Sequence, residues 1–160
     1  MGNNTNTLTM KSYIIDGNNL IFKIKSLEKL VNNDKQAIRE KLAYMVNNFF
    51  YGRKVNVTLH FDGYENIPLK LPNMKIIYSM NEKADVKIKH QIDTFKNPRN
   101  IIVVTSDIEI KNFARVNGCQ VLSSLEFSRM LYDNPKKNIR DEKSDISIST
   151  KDWEKIFGEK

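Results

Sequence analysis

Three aspartates, Asp16, Asp62 and Asp107, each stand directly after a short apolar run: Ser12-Tyr-Ile-Ile, Val55-Asn-Val-Thr-Leu-His-Phe61 and Ile101-Ile-Val-Val-Thr-Ser106. Runs of this length, rich in β-branched residues and closed by polar turn residues, read as buried strands. In an open parallel sheet, ligands bind beyond the carboxyl ends of the strands, so acids placed there converge without being close in sequence. A fourth acid, Asp85 in Lys83-Ala-Asp85, falls in the first turn of a following helix that can face the same edge. Carboxylates held close together raise one another's pKa unless a cation neutralises them. Mg²⁺ or Mn²⁺, hard ions that take oxygen ligands, are the economical reason to gather them. Such ions acidify a bound water and clamp a phosphate during in-line displacement.

Each acid also has a purely structural reading. An aspartate after a strand serves as a helix N-cap or turn former. For Asp107, before Ile-Glu-Ile, capping explains the residue as well as chemistry does. For Asp62, in Asp62-Gly63, the turn role outweighs catalysis. Asp85 also suits the positive end of a helix dipole. Asp16 is the hardest to reduce in this way, because Asp16-Gly-Asn-Asn19 brings a second polar side chain, Asn19, back to the same place. Other chemistries lack their residues. There is no Gly-x-x-x-x-Gly-Lys-Ser/Thr loop, no Gly-x-Gly-x-x-Gly and no Gly-x-Ser-x-Gly. The two histidines, His60 and His90, have no metal-ligand spacing. An aspartyl phosphatase wants Asp-x-Asp where Asn18 stands, and the paired early acids of a receiver domain are missing.

The elements that must position these acids alternate along the chain. Asp34 is placed to cap a long helix carrying Ile38, Leu42, Met45 and Phe49. Met74 to Tyr78 reads as a strand, and Asn81 as the cap of a helix with Ile88, Ile92 and Phe95 on one face, stopped at Pro98. Ile110, Phe113 and Ala114 mark a helix ending at Asn117-Gly118. A strand at Cys119 to Leu122 and a helix over Ser124 to Leu131 follow. Alternation of this kind implies a single α/β domain with a largely parallel sheet covered on both faces. The domain is expected over residues 12–133, after a polar leader (1–11) and before a charged linker with a short C-terminal helix (134–160). Trp153, Ile156 and Phe157 would dock that helix on the domain.

Composition narrows the class further. With 160 residues, 40% of them hydrophobic, the chain can bury one core, and no apolar run reaches the ~20 residues of a membrane span. The single cysteine excludes an internal disulfide and a cysteine-built zinc site. A polar N-terminus without a signal pattern gives a cytoplasmic location. The net charge of +7 favours an anionic partner.

Tyr13-Ile-Ile-Asp16-Gly-Asn-Asn19-Leu-Ile, His60-Phe-Asp62-Gly, Ala84-Asp85, Val104-Thr-Ser-Asp107 and Ser123-Ser-Leu-Glu-Phe127 together resemble the NYN domain, in its YacP-like branch of the PIN-domain ribonuclease superfamily. The resemblance spans about residues 12–131 in matching order. It implies a PIN-like sheet of order 3-2-1-4-5, an acidic pocket for Mg²⁺ or Mn²⁺, and endonucleolytic cleavage of single-stranded RNA. By position, Asp16, Asp85 and Asp107 would bind the metal and act in catalysis, with Asn19 and Ser106 lining the pocket and Asp62 at its margin. Two departures stand out. The family's Asp-Gly-Tyr-Asn reads Asp-Gly-Asn18-Asn19 here, and Val86 occupies a position that often carries a second acid.

Lys83, Lys87 and His90 share one face of the acid-bearing helix, and Lys70 and Lys75 surround the third strand. All five are candidates for holding RNA phosphates, against the plainer reading of a solvated basic face. Tyr64 would stack a base or pack locally. The sequence therefore supports a metal-dependent endoribonuclease acting in RNA turnover or on ribosome-associated RNA. An RNA-binding PIN-like module with little catalysis, or an unrelated phosphate-handling α/β domain, are the alternatives.

Overall fold

Every apolar run that precedes an aspartate is a strand in the computed structural model, which describes residues 10–30, 34–64 and 69–133. The elements run β1 (Lys11–Asp16), α1 (Gly17–Ile21), α2 (Lys25–Glu28), α3 (Lys35–Phe49), β2 (Val55–Phe61), β3 (Lys75–Tyr78) and α4 (Ala84–Thr94). A 3₁₀ turn at Pro98–Asn100, β4 (Ile101–Val104), α5 (Ile108–Val116), β5 (Gln120–Leu122) and α6 (Ser124–Tyr132) complete them. The strands form one sheet of order β3-β2-β1-β4-β5, parallel at every pairing. The expected leader up to Thr9 and the linker and helix of 134–160 lie outside the described residues. No helix among the described residues is long and apolar enough to cross a membrane.

The period-two alternation of side chains divides the core in two. Ile15, Val57, Leu59, Phe61 and Val104 face α1, α2, α3 and α6, where Phe49, Phe50 and Phe127 meet ring to ring. Ile14, Ile101 and Val103 point to the opposite side, against Ile88 and Ile92 of α4 and Ile110 and Ala114 of α5. Cys119 is buried with that second set, just before β5, and burial pushes its thiol pKa up.

The crossover after β1 is very tight. A Cβ on Gly17 would lie 2.6 Å from the His60 carbonyl oxygen and 2.6 Å from the Phe61 ring. Gly17→Ala is therefore expected to cost about 1–3 kcal/mol, the usual penalty of overpacking. Urea unfolding measures it, and an unchanged midpoint would contradict the close approach.

The helix ends are largely where the sequence placed them. Asp34 caps α3 through the N–H groups of Gln36 and Ala37. Asn117 and Gly118 (φ +89°) close α5. The expectation of Asn81 as the cap of α4 is corrected. That helix begins at Ala84, and Lys83 in the cap position makes no side-chain cap bond. The carboxylate of Asp62 reaches in from the end of β2 and accepts the Ala84 N–H at 2.6 Å. β3 likewise starts one residue later than expected, at Lys75, because Met74 is drawn into a bridge with Leu71.

Candidate active site

Asp16 ends β1 and caps α1, its Oδ1 accepting the Asn19 N–H at 3.2 Å. The strand order sets β4 beside β1, and there Thr105 donates its hydroxyl to Asp16 Oδ2 at 3.1 Å. The same hydroxyl accepts the N–H of Asp107 at 3.1 Å, so one buried side chain ties two of the acids together. Asp107 is exposed and caps α5 through the Ile110 N–H at 3.0 Å.

Asp16 is only 8% exposed, and burial pushes its carboxyl up to about 6. The Asn19 and Thr105 hydrogen bonds pull it down, while the nearby charges of Asp62 and Asp107 push it further up. All three strand-end acids thus act on one electrostatic centre. Thr105→Val removes a side-chain hydroxyl that stabilises the ionised form, so the Asp16 pKa is expected to rise above about 6. Carboxyl ¹³C shifts followed through a pH titration read it. A pKa that stays in place would remove Thr105 from the site.

The two asparagines after Asp16 brace the edge in opposite directions. Asn19 Oδ1 accepts the Ser106 N–H at 2.7 Å and the Ser124 hydroxyl at 2.6 Å, fixing the β4–α5 loop and the start of α6. Asn18, which stands where the family pattern has an aromatic, accepts the Asp62 N–H at 2.7 Å and fixes the end of β2. Ser106 Oγ accepts the Ser124 N–H. Asn19 and Ser106 therefore sit where the sequence places them. The sequence alone gives no role to Asn18, Thr105 or Ser124, although all three lie inside the motifs themselves.

Asp62 is more than marginal, because its bond to Ala84 anchors the helix that carries Asp85. Arg39 steadies the same turn by donating to the carbonyls of Asp62 (2.6 Å) and Tyr64 (3.1 Å). Asp85 lies in the first turn of α4, half-buried, and its Oδ1 is buried with no hydrogen-bond partner. A buried unpartnered carboxylate oxygen calls for a cation or a donor. Among the described residues, however, no three acidic, histidine or cysteine side chains close into an ion-binding cage.

The candidate RNA contacts divide into two groups. Lys83 is exposed at the start of α4, and Tyr64 follows the Asp62-Gly63 turn with 60% of its surface exposed, so both belong to the acidic edge. Lys87 is one turn further along and pairs with Glu82 at 3.4 Å. Lys75 opens β3 opposite Thr58, three residues back from the edge, and exposed Lys70 precedes the strand, because a parallel strand starts at the far end of the sheet. Lys75, Lys87 and His90 instead line a separate groove along β2.

Residues 13–157 match the family model of the YacP-like NYN domain. No curated protein matches the chain. Among solved structures, it is similar to the crystal structures of Rae1 (YacP) from Bacillus subtilis and of a point mutant of that protein, each at a TM-score of 0.69 and 22% identity. The match to the mutant covers 94% of both chains, and the other covers 86% of this chain and 83% of that one. At that identity the likeness is one of fold.

Proposed function

The chain belongs to the YacP-like NYN domain family, a PIN-like ribonuclease family, and on that footing we propose that it is a divalent-metal-dependent endoribonuclease of single-stranded RNA. The observation that carries this reading is the buried carboxyl of Asp16, pushed up to about 6 and bridged to Asp107 through Thr105. Burying an acid beside two others is costly, and a site that binds a cation recovers that cost.

Carboxylate oxygens suit Mg²⁺ or Mn²⁺, and the unpartnered Oδ1 of Asp85 fits the same need. Asp16, Asp85 and Asp107 would hold the ion. When bound, it supplies positive charge beside the phosphate and lowers the pKa of a water. The protein's own part is positioning. Thr105 orients Asp16, and Asn19 holds the Ser106 backbone, so the β4–α5 loop carrying Asp107 stays in register. Asp62 holds the α4 terminus, in whose first turn Asp85 stands. Lys83 and Lys87 balance the phosphate charge, and the exposed ring of Tyr64 offers a stacking face to an unpaired base. The working location would be the cytoplasm, on RNA that includes ribosome-associated RNA.

Two observations favour the second reading, an RNA-binding module with little catalysis: Val86 replaces a frequent acid, and no closed ion cage is present among the described residues. Incubating the protein with single-stranded RNA and Mn²⁺, beside Asp16→Asn and Asp107→Asn, separates the two. Cleavage by the wild type alone is expected. Three equally inert proteins that all bind RNA would establish the binding module instead.

A further inference from the structure

β2 reads Val55-Asn-Val-Thr-Leu-His-Phe61, apolar and polar in alternation. A parallel strand covered on both faces is normally apolar on both. Here Val57, Leu59 and Phe61 enter the core, whereas Thr58 and His60 turn to the face that α4 and α5 cover over β1 and β4. α4 does not reach across to β3. Between them lies a groove of about 890 Å³ running along β2, from Arg53 and Asn56 at one end to His60 and Lys87 at the other.

The groove's charge is of one sign. Among the described residues, Arg53, Lys75, Lys87 and His90 line it, and no aspartate or glutamate does. Arg53 is held in place by its guanidinium lying 4.1 Å over the Phe49 ring. The floor is an ordered polar relay: Gln91 Nε2 donates to Thr58 Oγ1 at 3.1 Å, which turns Gln91 Oε1 toward His60 Nε2 at 2.7 Å. With Gln91 in this orientation His60 Nε2 donates, and Nδ1 of the neutral ring is an acceptor. His60 is 1% exposed, and Nδ1 is buried with no partner. A buried acceptor in that state calls for a donor.

We propose that this groove is an RNA track, in which Arg53, Lys75, Lys87 and His90 take phosphates and the buried His60 at its floor accepts from a ribose hydroxyl through one water. The proposal rests on the reading of the protein as one that acts on RNA, and adds the path of the strand away from the acidic edge. From Val55 to His60 the groove is roughly 17 Å long at ~3.3 Å per residue, enough for more than one nucleotide. A ribose hydroxyl at the floor would also distinguish RNA from DNA.

The test is metal-free binding by the full chain. A short labelled single-stranded RNA, the matching DNA and poly-glutamate are titrated in EDTA against wild type and Lys75→Glu/His90→Glu, with ¹⁵N signals of the His60 ring followed on RNA addition. Both substituted residues are side chains at the groove's open surface, so folding is retained, and Lys75→Gln alone checks this with a milder change. The expected results are a His60 ring shift with RNA, weaker binding of DNA, and about tenfold weaker RNA binding by the double variant. The salt dependence should also lose ~0.7 in log–log slope per phosphate contact removed. RNA binding that leaves His60 unmoved and the double variant unaffected would overturn the track and leave the nuclease reading standing. Poly-glutamate binding as tight as RNA would overturn it in favour of an acidic protein partner. No RNA binding by the wild type would overturn both.

Discussion

Asp16→Asn is expected to stop RNA cleavage and, at neutral pH, to make the protein more stable. The folded-state carboxyl titrates at about 6 against an ordinary 3.8. A carboxyl raised in this way is favoured in the folded protein only while protonated. Below pH 3.8 it costs nothing. Between about pH 4 and 6 the unfolded chain has given up the proton and the folded chain still holds it, so stability falls as pH rises. Above 6 the loss is complete, about 3 kcal/mol at 1.36 kcal/mol per unit. Asparagine keeps the shape and has no such loss. Chemical denaturation should therefore find the variant up to about 3 kcal/mol more stable at pH 7 and nearly equal to wild type at pH 3.5. Cleavage should fall by about 10²-fold or more, because the variant removes a charged oxygen from the proposed ion site. A variant destabilised equally at both pH values would mean that Asp16 is a structural cap and nothing more.

A second large effect is expected from the metal itself. An ion that binds only the folded protein stabilises it by about 2.7 kcal/mol at a hundred times its dissociation constant. Mn²⁺ added at pH 7 should raise the unfolding midpoint, and EDTA should reverse the gain. Asp85→Asn should lose most of it, because the buried Oδ1 that lacks a partner is then part of a neutral amide. Mn²⁺ stabilising the variant as much as the wild type would take Asp85 out of the ion's surroundings.

These two acids illustrate what could be read before any coordinates. The placement of Asp16 and Asp107 at one sheet edge was legible from position, since each follows an apolar run, and parallel strands bring their carboxyl ends together. The alternation of strands and helices gave the class of fold, whereas the order 3-2-1-4-5 came with the family resemblance. Thr105 lies inside a motif, where nothing local gives it a role. Its two bonds join residues 89 apart and two apart, and the longer one exists only because β4 pairs with β1. Asp62 was read as a turn residue at the margin, but it caps a helix 22 positions later, which no local capping rule anticipates. The same long-range bond is why Asn81 does not cap α4. Lys70 and Lys75 were grouped with the pocket by nearness in sequence to the third strand, and strand direction sets them back from it. The polar face of β2 was visible in the alternation of Val55 to Phe61, but its meaning depended on knowing that α4 leaves that face open.

The most direct measurement is of the products formed from an end-labelled single-stranded RNA in Mn²⁺, with and without a 2′-deoxy substitution at the cleaved position. A divalent ion held at Asp16, Asp85 and Asp107 would supply an acidified water as the nucleophile. Water should therefore attack the phosphorus. Internal cuts bearing 5′-phosphate and 3′-hydroxyl ends, abolished by EDTA and retained at the 2′-deoxy position, are the expected result. Cyclic phosphate ends, cutting that survives EDTA, or loss of cutting at the 2′-deoxy position would contradict a metal-dependent hydrolytic site at Asp16, Asp85 and Asp107.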